Sequence, residues 1–382
     1  MEIQEIEVKP HVIRGVRLAE RAANRVIRAR DRVRKSTGLG GRKANYDDGR
    51  YEFVGGPAET IRKRHYDKSL RLLWKAEEHA SFLDFRDCTA AERSLLSQAL
   101  ESMSDEEKEE LGKLAMPEFK AQLNRNYSPR QKQAIVNVLT AIGHGEAYAW
   151  LVSAELLGEV ESTGARAALT MQVLEEAKHF VVLRQFLQAF EVPIPRQSAW
   201  EYLFLEGVYK ADGLEKFFGM NVAVEGIALS LFGLFGDWPG LDLLRLFHLD
   251  ESRHTALPHN YFNEFPMTEW QKHSPVARWR RLKMILPALM LIVHLEEDLG
   301  VLGIDAFDFG GSVLRKVTFL AERSGFYLAV PSKVLLPLLN EAFNAYCALT
   351  REGHEHQSFL DSESTVGHRE LAVEAAIFAA VV

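Results

Sequence analysis

Two short segments carry the same acid–acid–x–x–His arrangement, Leu174-Glu175-Glu176-Ala177-Lys178-His179 and Leu249-Asp250-Glu251-Ser252-Arg253-His254. Three residues advance a helix by about one turn, so Glu176 projects beside His179, and Glu251 beside His254. A carboxylate and an imidazole at that spacing reach one divalent ion together. One such tetrapeptide is common by chance; two on separate predicted helices are far more informative. Two metals need carboxylates from two further helices. Glu146 lies in the mainly apolar run Ala141 to Leu157, and Glu225 in Leu214 to Phe235, a run apolar all round that predicts a buried central helix. Burying an unpaired carboxylate costs several kcal/mol, so each mid-helix acid calls for a cation or a proton. Four carboxylates and two neutral imidazoles around two divalent ions sum to zero charge, which removes the main objection to burial. Oxygen and imidazole ligands suit iron or manganese, whereas structural zinc favours closed sites with thiolates.

The order Glu146, Glu176-x-x-His179, Glu225, Glu251-x-x-His254 over residues of about 129–263 resembles the ferritin-like di-iron carboxylate superfamily, in its oxygenase, acyl-carrier-protein desaturase and ribonucleotide reductase small-subunit branch. The acids at 175 and 250 resemble the desaturases in particular. The resemblance implies that these six residues are both the metal ligands and the catalytic set, with Glu176 and Glu251 as bridges. It implies two iron ions, or manganese with iron, and dioxygen as co-substrate. It also implies that Glu175 and Asp250 each bond the ligating histidine of the opposite helix, which fixes its tautomer. The expected function is an oxygen-activating, non-haem di-iron oxidoreductase, oxygenase or desaturase-like, acting on a small organic or acyl substrate of apolar character; the alternative is a ferroxidase or metal-binding ferritin-like protein with no organic substrate. The chain departs from the family at three places. Ala228, Leu229 and Ser230 stand where many relatives carry a threonine. Leu183 stands where the reductase subunit has its tyrosine. Phe247, with His248 beside it, stands where arylamine oxygenases have a seventh ligand.

Helix start signals recur along the chain and strand-like alternation does not, so the expected fold class is all-α: a ferritin-like four-helix bundle with additional N- and C-terminal helices. Thr89 with Glu92, Ser104 with Glu107, and Asp212 with Glu215 read as capping boxes. Ser128-Pro129 and Ser274-Pro275 place a capping hydroxyl before a proline at the first helical position. Starts are therefore expected near residues 90, 105, 129, 213 and 275. Between His179 and Glu225 there is room for a crossover through a short helix near 198–209. Pro258 is expected to kink or end the fourth ligand helix, because it cannot donate to the carbonyl of His254. Glycines between Ser36 and Pro57 mark a linker. The division is then a basic N-terminal arm and Gly-rich linker at 1–57 and a ferritin-like helical domain at 58–382.

Arg14, Arg17, Arg21, Arg25, Arg28, Arg30, Arg32, Arg34 and Lys35 face only Glu20 and Asp31 in the arm, forming a basic helix face. It suits an external electron donor or an acidic carrier protein, if it is not simply solvated or paired within the chain. Over 382 residues, Lys and Arg total 46 against 53 Asp and Glu, a formal charge of −7 that argues against nucleic acid as a partner. Two cysteines, Cys88 and Cys347, are too few for an iron–sulfur site or a disulfide framework, so electrons must come from outside and a cytoplasmic, reducing location is expected. A homodimer is the expected assembly. The apolar stretch Met284 to Leu295 is too short to cross a bilayer. Phe180, Phe217, Phe218, Met220, Phe232 and Phe235 lie on or near the ligand helices and suggest an apolar substrate. His144, His259, His294, His354 and His356 are weaker candidates, more readily explained as core or surface residues.

Overall fold

The computed structural model describes residue 6 and residues 8–37, 117–161 and 163–360. The capping boxes at Thr89 and Ser104, Cys88 and most of the glycine linker lie outside the described residues. Within them the chain is all-α, with eleven helices and no strand: α1 (Pro10–Thr37), α2 (Pro117–Asn126), α3 (Pro129–Leu156), α4 (Thr163–Gln188), α5 (Ala199–Tyr209), α6 (Glu215–Phe235), α7 (Leu243–Glu264), α8 (Glu269–His273), α9 (Pro275–Val301), α10 (Ala306–Arg323) and α11 (Ser332–Thr350).

The start of α3 follows from its sequence. Ser128 accepts from the Gln131 N–H, the Gln131 side chain accepts from the Ser128 N–H, and Pro129 occupies the first helical position. α9 also starts on its proline, but without a hydroxyl bond from Ser274, whose N–H instead closes α8 on the Trp270 carbonyl. The expected box between Asp212 and Glu215 does not form, and α6 begins at Glu215. The Glu215 carboxylate is used elsewhere: it takes both arms of Arg281 from α9, at 2.8 and 2.6 Å. Arg281 is fully buried and also donates to the carbonyls of Lys272, Gln271 and Tyr327, its guanidinium lying 5.0 Å from the Phe326 ring centre. Arg281→Met leaves a carboxylate and three carbonyls without their donor, and should lower unfolding free energy by about 3–5 kcal/mol in urea titration.

Two helix pairs, α3 with α4 and α6 with α7, are joined where α4 meets α7 and where α3 meets α6. α5 and α9 cover α3, α10 packs against α6, and α11 lies on α10. α1 lies across α5 and α9 with Ile27 buried, and Arg30 and Arg17 pair with Glu206 and Glu297 on those helices. Part of the basic face is therefore paired within the chain, while Arg14, Arg21, Arg25 and Arg32 remain exposed.

α6 is long and apolar enough to cross a membrane, yet 83% of its most apolar window is buried inside the protein, as the central helix of the core. Its segment Phe218–Val224 is a π-helix, in which the Glu225 N–H reaches back to the Met220 carbonyl. Such a wide turn shifts the register of every later side chain, and here it immediately precedes Glu225. Of the two outcomes expected at Pro258, an end does not occur: α7 continues through it to Glu264. The carbonyl of His254 that proline leaves without a donor is supplied by Asn221 Nδ2 from the π segment, at 2.9 Å.

Candidate metal centre

α3 contributes Glu146, α4 Glu176 and His179, α6 Glu225, and α7 Glu251 and His254, none of them more than 3% exposed. They fall into two overlapping groups, Glu146–Glu176–His179–Glu251 and Glu176–Glu225–Glu251–His254, and in each the ligand atoms lie within 4.8 Å of one another. Glu176 and Glu251 belong to both. His179 Nδ1 is 2.9 Å from Glu251 Oε1 and 3.4 Å from Glu146 Oε2. His254 Nδ1 is 3.0 Å from Glu251 Oε2 and 3.1 Å from Glu176 Oε1. Each histidine turns its other nitrogen outward and across: His179 Nε2 lies 2.9 Å from Asp250 on α7, and His254 Nε2 lies 2.9 Å from Glu175 on α4. Arg253 bridges those two outer acids, and Lys178 adds a bond to Asp250.

With Nε2–H given to a carboxylate, a neutral imidazole points the Nδ1 lone pair at the inner carboxylates. Among the described residues, both oxygens of Glu146, one each of Glu176, Glu225 and Glu251, and His179 Nδ1 have no hydrogen-bond partner. Buried lone pairs facing one another this closely are tolerated only around cations or protons. The donor set, two imidazole nitrogens with four carboxylates, fits divalent metal, and the cluster could hold it.

Without metal, protons take that place. Burial and the charge of Glu251 push Glu146 well above the carboxylate range, and burial with Glu176 and Glu251 does the same to Glu225. Burial also pushes Glu176 and Glu251 upward, but the histidines outweigh it, holding Glu176 well below the usual range and Glu251 at about 2. Burial opposes the imidazolium forms of His179 and His254, yet the surrounding acids raise both well above an ordinary histidine. These directions favour imidazolium at His179 and His254, carboxylate at Glu176 and Glu251 and neutral acid at Glu146 and Glu225, an arrangement with zero net charge. Two divalent ions replacing four protons leave that total unchanged. Asp250→Ala removes the acceptor that fixes the His179 tautomer and should weaken metal binding about 10–100-fold by competition titration.

Two neighbours carry no sequence signal beyond being amides four residues before a ligand. Gln172 Nε2 donates to Glu176 Oε1 at 3.2 Å, and Asn221 Nδ2 donates to Gln172 Oε1 at 2.9 Å. Phe247 stacks on His179 with ring centres 4.4 Å apart, and His248 donates to the Leu229 carbonyl, so neither supplies a seventh ligand. His144 is buried against Glu201, His259 is bonded to the Arg323 carbonyl and Asn263, and His354 and His356 pair with Asn344 and Glu341.

A cavity of about 50 Å³ reaches Glu146, Glu225 and Glu201 and is otherwise walled by apolar groups, among them Ile142, Phe204, Ile227, Ala228, Leu231 and Ile292. A second, of about 60 Å³, shares Phe204, Ile227, Ala288, Ile292 and Val313 with it and extends between α9, α10 and α11 to Leu286, Leu335 and Leu339. The aromatic residues expected to shape a substrate pocket do not line either. Phe217 packs on Tyr261 and Phe262, Phe218 on Phe326, Phe232 on Phe247 and Phe235 on Trp238, all as core. Ala228 faces the cavity, while the Ser230 hydroxyl accepts from Lys316 Nζ and donates to the Gly226 carbonyl. Comparisons with protein-family models, curated proteins and solved structures found no match.

Proposed function

We propose that the chain is an oxygen-activating di-metal oxidoreductase that oxidises an apolar organic or acyl substrate, with α3, α4, α6 and α7 as a ferritin-like four-helix bundle. The observation that carries this reading is the pair of overlapping ligand groups with two shared carboxylates, each histidine held by an acid from the opposite helix. Two irons, or manganese with iron, would supply redox equivalents and Lewis acidity toward dioxygen. Glu176 and Glu251, common to both groups, would be shared, Glu146 and Glu225 would each complete one group, and Asp250 and Glu175 keep Nδ1 of each histidine turned inward. The apolar cavity against Glu146 and Glu225 would position a hydrocarbon segment and exclude water. A ferroxidase needs no such cavity, which favours the organic substrate. Electrons would come from an external donor, for which the exposed arginines of α1 are a steering surface.

The test is to reduce the iron-loaded protein, admit ¹⁸O-labelled dioxygen with lipid and aromatic extracts, and read products by mass spectrometry. A hydroxylated product carrying the label, or a product short of two hydrogens, is expected. Oxygen consumption coupled to iron oxidation, with no change in any extract, would support the ferroxidase instead.

A further inference from the structure

The apolar cavity contains only three polar residues in its wall: Glu146, Glu225 and Glu201. Two belong to the metal centre. Glu201 does not; it stands in the first turn of α5, where its N–H donates to the Ser198 hydroxyl, and it is 5% exposed. Its carboxylate lies 2.8 Å from Nδ1 of His144, which is itself buried on α3. Glu201 also lines a second, polar cavity of about 400 Å³ beneath α1, together with His294, Asp298, Asn137, Gln133 and Arg17. That volume is ample for a cluster of water molecules, and its walls offer them partners. His294 on α9 attracts the Glu201 carboxylate. Beyond it, Asn137 donates to Asp298 at 2.9 Å, and burial pushes the Asp298 carboxyl up to about 6. Glu201 and Leu295 line both cavities, so Glu201 is the one ionisable side chain shared by the polar cleft and the apolar cavity.

We propose that Glu201 is the proton gate of the metal centre, passing protons between the polar cleft under α1 and the apolar cavity at Glu146 and Glu225. The inference rests on the di-metal reading. Hydroxylation consumes one dioxygen, two electrons from the external donor and two protons, giving the alcohol and one water; desaturation consumes the same and gives the alkene and two waters. Electrons arrive over a distance, whereas protons need ionisable or hydrogen-bonding groups on their way, and on the cavity side Glu201 is the one that also faces the polar cleft. A proton from water in the cleft adds to the Glu201 carboxylate, and the resulting acid gives it up toward Glu146 and Glu225, the only other polar groups lining the cavity, restoring the Glu201 carboxylate. Glu201 acts through the reacting atoms' surroundings and holds no metal.

Loading with Co²⁺ separates proton movement from turnover. Uptake of Co²⁺ by the full-length apoprotein is followed by its visible absorbance, and the displaced protons by an indicator dye in weak buffer. In the wild type the two signals rise together. In Glu201→Gln the final Co²⁺ stoichiometry is unchanged, but both signals slow together about tenfold or more, because Co²⁺ cannot take the ligand atoms until their protons leave. The slowed rate no longer rises with Co²⁺ concentration and falls further in D₂O, as a proton-limited step requires. Glu201→Asp, which keeps the carboxylate but shortens its reach, falls between and gives a second reading should the glutamine variant fold poorly. Wild-type rates in both variants overturn the gate. A slowed rate that still rises in proportion to Co²⁺ and is unchanged in D₂O also overturns it, since Glu201 would then lie on the path of the metal. Absence of Co²⁺ uptake by the wild type would sink the di-metal reading itself, and the gate with it.

Discussion

Protein purified from iron-supplemented cells should carry about two metal ions per chain, and Glu225→Ala or His254→Ala should each bring this below about one. The two substitutions remove a terminal carboxylate and an imidazole from the same ligand group, whose remaining members Glu176 and Glu251 are shared with the other ion. Losing one ion therefore weakens the charge balance that holds the second. The same changes should act in the opposite sense on the metal-free fold. Burial and the charges of Glu176 and Glu251 oppose ionisation of Glu225 there, so its removal sheds a carboxyl that the fold must hold protonated and should leave the apoprotein as stable as the wild type or more so. Elemental analysis and thermal melts of matched apo and iron-loaded samples read both effects. Wild-type protein with less than one metal per chain, unchanged in either variant, would count against the centre.

The stabilisation that metal brings should grow steeply with pH. Glu146, Glu225, His179 and His254 have folded-state values above their unfolded ones. Their contribution to the apoprotein is full below the unfolded values and is lost as pH rises through the folded ones. Glu176 and Glu251 have depressed values, so their contribution is present above the unfolded carboxylate range and is lost as pH falls through the folded ones. The apoprotein should therefore weaken on the alkaline side, where its four bound protons leave. Metal displaces those same protons, and each one displaced makes binding more favourable by about 1.4 kcal/mol per pH unit, or roughly 5 kcal/mol for all four. The gap in Tm between metal-saturated and metal-free protein should thus widen from about pH 6 to about pH 9. A gap constant across that window would mean that metal enters without displacing protons.

The ligand residues were legible because their spacing is local. Glu176 with His179 and Glu251 with His254 meet within one helical turn, and Glu146 and Glu225 stand out as acids in apolar runs, whatever the rest of the chain does. Helix starts at Pro129 and Pro275 were legible for the same reason, since a proline suits the first helical position through its own ring, and at Pro129 the cap involves only neighbouring residues. Where a side chain had a choice of partner, local rules failed: Glu215 could cap its own helix or take Arg281, 66 residues away, and the fully buried guanidinium won.

What the sequence by itself determined is the all-helical class and the six side chains that meet around the centre. Tertiary structure alone decided what surrounds them. Pro258 marks a carbonyl without a donor in any reading of α7, but only packing reveals that Asn221 supplies one and lets the helix run on. Aromatic residues near the ligand helices suggested a pocket, yet core and cavity draw on the same apolar residue types, and these rings became core. The cavity walls come instead from α3, α5, α6, α9 and α10, and Glu201 faces two cavities because three helices meet at it. Contacts between distant residues have no period along the chain, so no reading of spacing could have supplied them.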